Sequence, residues 1–157
     1  MKSLQKYSIT QISILVLLRW LIGVHFLMEG LNKLTSSFWS SKPFLMQSNW
    51  VFSDVFIGIT EIQWLLNTVD FLNIWGQIII GLCLVLGLFT KWTAFAGALL
   101  LFLYYAAAPP FVYNFSFIDK NIIELFSFLI VAIFPTSQIV GLDLFLNFKK
   151  VKNFEKK

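Results

Sequence analysis

The chain has 157 residues, is 58% hydrophobic and 13% charged, and carries a mean hydropathy of +0.78 and a formal charge of +4. A single water-soluble domain of that length has too little interior to hide so much apolar side chain, which points to an integral membrane protein. The basic residues gather at the chain ends and do not alternate with stacking aromatics, so nucleic acid is not the partner they imply; anionic lipid is.

Taken in chain order, the first apolar stretch covers about 9–31. It carries Arg19, His25 and Glu29, ends in Asn32-Lys33 and lacks a small-residue cleavage site, so it reads as a retained helix rather than a secretory signal. A long connection follows, 35–71, holding Trp39, Trp50 and Trp64 with Asp54, Glu61 and Asp70. Within it, Val55, Phe56, Ile59, Ile62 and Leu66 share one helical face opposite Glu61 and Gln63, the pattern of an amphipathic helix lying in the membrane interface.

The second span is expected at about 72–89 and the third at about 93–108, with only Phe89-Thr90-Lys91-Trp92 as a hairpin between them. Pro109-Pro110 ends the third, because proline lacks the amide donor that would continue a helix. The fourth span, about 121–134, is the shortest and stops at Pro135. The tail 141–157 opens with Gly141-Leu142-Asp143 and continues through Phe148 into lysines, which reads as a surface anchor on the cytoplasmic face. Thr93 with Gly97, Ala94 with Ala98, and Gly76, Gly81 and Gly87 are small residues of the kind that let helices approach closely in lipid. The expected fold is therefore all-α: one membrane domain, an antiparallel four-helix bundle with an interfacial amphipathic helix in its first loop.

Orientation follows from the lysines. Lys2, Lys6, Lys91, Lys149, Lys150, Lys152, Lys156 and Lys157 fall on one side, and Lys33, Lys42 and Lys120 on the other. The lysine-rich side should be cytoplasmic, which places both termini inside the inner membrane of a bacterium and turns loop 35–71 outward.

The residues that could carry chemistry centre on the first span. Arg19, Gly23, Phe26, Gly30 and Lys33 recur on one stripe at helical spacing. A charge as deep as Arg19 is costly against lipid and should face the bundle interior or a wet cavity. His25 and Glu29, and Glu29 and Lys33, lie one turn apart and can meet. Asp70, Asn73 and Trp75 open the second span on the outer side, Tyr104 and Tyr105 close the third, and Asn121 and Glu124 open the fourth. All four helices thus bring polar groups to the outer half, as expected of a pocket that takes a quinone head group or relays protons. The structural alternative stays open: Arg19 fixing packing, Lys33 reaching for headgroups, Asp70 and Asn121 capping helices. One His and one Cys cannot build a multi-ligand metal site within the chain, and no catalytic residue is singled out.

The run Arg19-x3-Gly23-x-His25-Phe26-Leu27-x-Glu29-Gly30-x2-Lys33 resembles the first-helix signature of the DoxX/DoxD family of small membrane proteins. Asp70-Phe71-Leu72-Asn73-Ile74-Trp75-Gly76, Gly87-Leu88-Phe89-Thr90-Lys91, Tyr104-Tyr105 with Pro109-Pro110-Phe111, Asn121-x2-Glu124-Leu125, Phe134-Pro135-Thr136 and Gly141-Leu142-Asp143 follow in order. The resemblance implies a four-helix membrane fold. It also implies a link to quinone-dependent oxidoreductases, because the family includes the DoxD subunit of thiosulfate:quinone oxidoreductase. The expectation is a membrane subunit of such an enzyme, with quinone as cofactor, lipid around it, and a second redox subunit or further copies of the chain as partners. The rivals are a non-catalytic assembly or scaffolding subunit and, behind it, a small transporter or lipid-handling protein.

Overall fold

The computed structural model describes residues 8–112, 117–134 and 136–144. Pro135, the terminal lysines and the segment 145–148 lie outside these, and with them the proline stop, most of the orientation argument and most of the proposed tail anchor. Among the described residues six α-helices form: α1 Ile9–Thr35, α2 Lys42–Leu45, α3 Ser53–Glu61, α4 Gln63–Leu86, α5 Thr90–Ala107 and α6 Lys120–Ile133. Short 3-10 turns follow at Pro110–Val112 and Thr136–Gln138.

Local chemistry sets the helix ends. Ser8 Oγ accepts from Gln11 N while Gln11 Oε1 accepts from Ser8 N, a reciprocal capping box that starts α1. Gly87 ends α4 at φ 67°, and Leu88 N returns to Cys83 O at 2.8 Å. Phe89 also has positive φ, so the turn into α5 needs only three residues. Asp119 caps α6 by accepting from Ile122 N at 2.9 Å. Asp119, and not Asn121, therefore does the capping.

Among the described residues three helical segments are long and apolar enough to cross a membrane: Ile9–Thr35, Gln63–Leu86 and Thr90–Val112. At 1.5 Å per residue the 14 residues of α6 reach about 21 Å, short of a hydrocarbon layer of about 30 Å. Helix α4 begins well before the expected 72. The polar side chains that resembled loop are held within the helix or by its neighbours: Gln63 Nε2 donates to Asn67 Oδ1, and Thr68 Oγ1 to Trp64 O. The amphipathic face expected across 55–66 is also divided. Ile62 is extended at ψ 101° and breaks the helix, so Leu66 belongs to α4 and is buried, while Val55 and Ile62 are exposed. Helix α3 packs on α4 and α2, with Phe56 and Ile59 against Leu45, Leu66 and Ala107.

Helix α1 lies along α4 and α5 along α6, and the two pairs meet through α4–α5 and α1–α6. The core between them holds Ile22, Phe26, Ile80, Leu84, Leu101, Phe128 and Val131. The Phe26 and Phe128 rings pack with centroids 4.5 Å apart, and the Phe128 ring fills the space over Gly97. Leu17, Leu21, Ile79, Leu99, Phe102, Phe126 and Ile133 point outward as an apolar surface that lipid would cover. One end of the helix array carries the segment between α1 and α4 and is called here the loop end; the other, the turn end, carries the α4–α5 turn.

Glycines make the α1–α4 contact possible. A Cβ on Gly81 would sit 2.5 Å from Leu27 N and 2.7 Å from Gly23 O; one on Gly30 would sit 2.9 Å from Ile78 N. Gly76 has nothing within 4 Å. Gly81→Ala should therefore lower stability by about 1–3 kcal/mol through overpacking against backbone, whereas Gly76→Ala should be neutral or stabilising by up to about 1 kcal/mol. Thermal unfolding of the two variants in the same detergent decides this, and equal midpoints would contradict the packing account.

Candidate functional site

At the loop end α1, α4, α5 and α6 line a half-open cavity of about 270 Å³. Helix α1 contributes His25, Phe26, Glu29 and Lys33; α4 contributes Asn73 and Gln77; α5 contributes Leu101 and Tyr104; α6 contributes Lys120, Asn121 and Glu124. Trp39, Ser40, Ser41 and Phe44 complete the wall from the segment after α1.

The inner wall carries a closed three-way network. Lys33 Nζ donates to Asn73 Oδ1 at 2.6 Å and to Tyr104 Oη at 3.2 Å, and Tyr104 Oη donates to Asn73 Oδ1 at 2.8 Å. The ammonium also stands 4.8 Å from the Trp39 ring centroid and 5.3 Å from that of Tyr104, within cation–π range. Lys33 is thus turned into the helix array. An ammonium has three donors, and two are used among the described residues, which leaves one N–H for something else.

Across the α1–α6 contact, His25 Nε2 lies 3.2 Å from Glu124 Oε1. His25 is 49% exposed, so this pair forms a rim of the site rather than its floor. The partner of His25 is Glu124 on another helix and not Glu29 one turn away. Glu29 lines the cavity between these two groups. Asn121 Nδ2 donates to Asp119 Oδ2 at 2.7 Å while its residue faces the cavity.

The structure does not bring every expected residue to this site. Arg19 is 2% exposed at the turn end, against the backbone of Gly87, with Asp143 as the opposing charge. Its Nε and Nη1 have no hydrogen-bond partner among the described residues. It was expected beside His25 and Glu29, but it lies nearly two turns further along α1, and the core closes over it. Asp70 stands behind the wall and accepts from Ser41 N at 2.7 Å and Ser41 Oγ at 2.5 Å. Trp75 is exposed and packs on Phe71. Tyr105 donates to Phe117 O at 2.8 Å and packs on Phe111, away from the cavity. Gly141-Leu142-Asp143 does not run free along a surface: Leu142 N donates to Leu86 O, Asp143 N to Gly87 O, and the Asp143 carboxylate accepts from Phe89 N and Thr90 N.

Sequence reasoning passed over Gln77, Trp39, Ser40, Ser41, Phe44 and Lys120. Gln77 had a readable signal, as an amide inside an otherwise apolar run one turn after Asn73. It is 3% exposed, and its Oε1 is buried with no hydrogen-bond partner among the described residues.

The DoxX family model matches residues 14–110, which covers most of α1, all of α2 to α5 and most of the cavity wall. The chain belongs to the DoxX family. No curated protein and no solved structure matches it. In this DoxX-family membrane protein the matched region includes Lys33, Asn73 and Tyr104, whereas Glu124 and Asp143 lie beyond it.

The network has an asymmetry that can be measured. Asn73→Leu removes the acceptor shared by Lys33 and Tyr104 and should cost about 2–3 kcal/mol, because it leaves buried donors without a partner. Lys33→Met removes a costly buried charge and leaves the Tyr104–Asn73 bond intact, so it should cost less than about 1 kcal/mol. Unfolding midpoints in detergent report both, and a larger loss for Lys33→Met would contradict the network as drawn.

Proposed function

We propose that this chain is the membrane subunit of a quinone-linked oxidoreductase, related to DoxD, and that the loop-end cavity holds the quinone head group. The observation that carries the reading is the Lys33–Asn73–Tyr104 network, with one ammonium proton left over among the described residues, at a cavity whose other walls are mostly polar with Phe26, Trp39, Phe44 and Leu101 set among them. Quinone carbonyl oxygens only accept hydrogen bonds, and Lys33, Lys120 and His25 supply donors. Quinol hydroxyls also donate, and the Glu29 carboxylate supplies an acceptor. Phe26, Phe44 and Leu101 would flank an apolar ring. About 270 Å³ is near the low end for a ligand pocket, which suits one ring and leaves an isoprenoid tail among the lipids. The bound quinone would carry electrons, while the protein binds and orients it and manages protons.

In the same reading α6 makes a fourth, short crossing, continued by the 3-10 turn at Thr136–Gln138 and helped by local thinning of the bilayer. The four helices then alternate in direction, and α3 lies in the interface. Both termini and the α4–α5 turn face the cytoplasm of a bacterium, and the cavity opens on the outer side of its inner membrane. A second redox subunit would supply the electron donor.

The test is to purify the protein from native membranes, extract it with organic solvent and measure quinone by mass spectrometry. Added quinone should raise the unfolding midpoint. Lys33→Met and Tyr104→Phe should each weaken binding by about tenfold, the worth of one good hydrogen bond. Absence of quinone in the extract together with no shift on addition would remove the reading; capture of a stable partner in its place would favour the assembly subunit. Reporter tags at Met1 and Lys157 should report the same side.

A further inference from the structure

The wall formed by the segment after α1 differs from the other walls. Trp39, Ser40, Ser41 and Phe44 come from a short stretch around α2 and not from one of the longer helices. The stretch touches the inner network at two points: the Lys33 ammonium faces the Trp39 ring, and the Phe44 ring meets the Tyr104 ring edge-on at 5.9 Å. Further along, Leu45 is buried against Leu66 and Ala107, which anchors the far end of the stretch. Between these contacts stands one polar fastening. Asp70 Oδ1, on α4, accepts from both the backbone N and the hydroxyl of Ser41.

A carboxylate on a membrane helix is expensive unless it is matched. Here the matching donors come from the strap, and Asp70 does not itself line the cavity. We propose that residues 39–45 form a strap at the mouth of this half-open cavity and that Asp70 is the positioning residue that holds it in place, acting through Ser41 on Trp39 and Phe44. Asp70 touches no ligand. It sets how often the mouth widens beyond the width seen here, and so the rates at which a planar carbonyl-bearing ligand enters and leaves, more than the affinity of the strapped state. The choice of ligand rests on the function proposed above; the strap itself does not.

The decisive experiment therefore reads access rather than quinone. Leu101 is buried on the cavity wall. In the full-length protein with Cys83→Ala, Leu101→Cys gives a single thiol there, and its labelling by a small maleimide in detergent reports opening of the mouth. Adding Asp70→Ala should raise the labelling rate at least tenfold at an unchanged unfolding profile. Asp70→Asn, which keeps one acceptor oxygen, should restore a rate near the parent, a result that a merely structural carboxylate does not require. If Asp70→Ala does not fold, Ser41→Ala removes only the hydroxyl donor and should raise the rate two- to fivefold. Labelling unchanged in every variant that folds overturns the strap, whatever quinone does. Faster labelling with no quinone bound keeps the strap and rejects the ligand.

Discussion

The structure depends on how close α1 comes to α4. In lipid no water-driven force pushes helices together, so packing must do it, and packing needs backbones near each other. Gly23, Gly30 and Gly81 provide that nearness, with Leu84 and Ile78 filling the space where side chains would have been. The approach fixes the rotation of α1. Once Gly23 and Gly30 face α4, Arg19, Phe26 and Lys33 on the same stripe must also face inward. The glycine seam thus forces one charge into each end of the helix array, about 21 Å apart along the axis at 1.5 Å per residue. Neither charge can turn to the lipid without breaking the seam.

The rest of the polar architecture answers those two charges. At the loop end, α4 and α5 bring Asn73 and Tyr104 to Lys33, while α6 brings Glu124 to His25. At the turn end, Gly87 and Gly141 pack backbone to backbone, and Asp143 arrives as the counter-charge to Arg19. Both carboxylate oxygens of Asp143 are already accepting from Phe89 N and Thr90 N. The one residue therefore caps α5, closes the turn and balances a buried cation.

Much of this was legible in the sequence because periodicity is a local property. The stripe 19-23-26-30-33 could be read from spacing alone, and it turns inward as the spacing requires. The convergence of Asn73, Tyr104, Asn121 and Glu124 near His25 and Lys33 followed from counting each residue's depth along its own span. Partners were harder to read, because they are set between helices. His25 and Glu29 are neighbours on α1, yet Glu124 wins His25 from α6. The break at Ile62 was hidden for a related reason. Nothing in the apolar pattern of 55–66 marks an extended residue, and the shift of phase appears only once α3 and α4 each find their own packing. Ser41 and Asp70 are 29 positions apart, so their bond had no sequence signature at all.

Arg19 and Lys33 also separate two meanings of a buried charge. Both are cations on the same helix face, and depth alone would rate Arg19 the stronger functional candidate. The structure surrounds Arg19 with a glycine turn and a carboxylate and buries it to 2% exposure, so its charge organises the end of the fold. Lys33 is the shallower residue, yet it borders open space with a donor unused among the described residues and the Glu29 carboxylate on the same wall. A buried charge that is enclosed contributes to which structure forms. One that borders a cavity can in addition meet a molecule that is not part of the chain, and what distinguishes them is the empty volume at its side, a property of how four helices fit together rather than of any one of them.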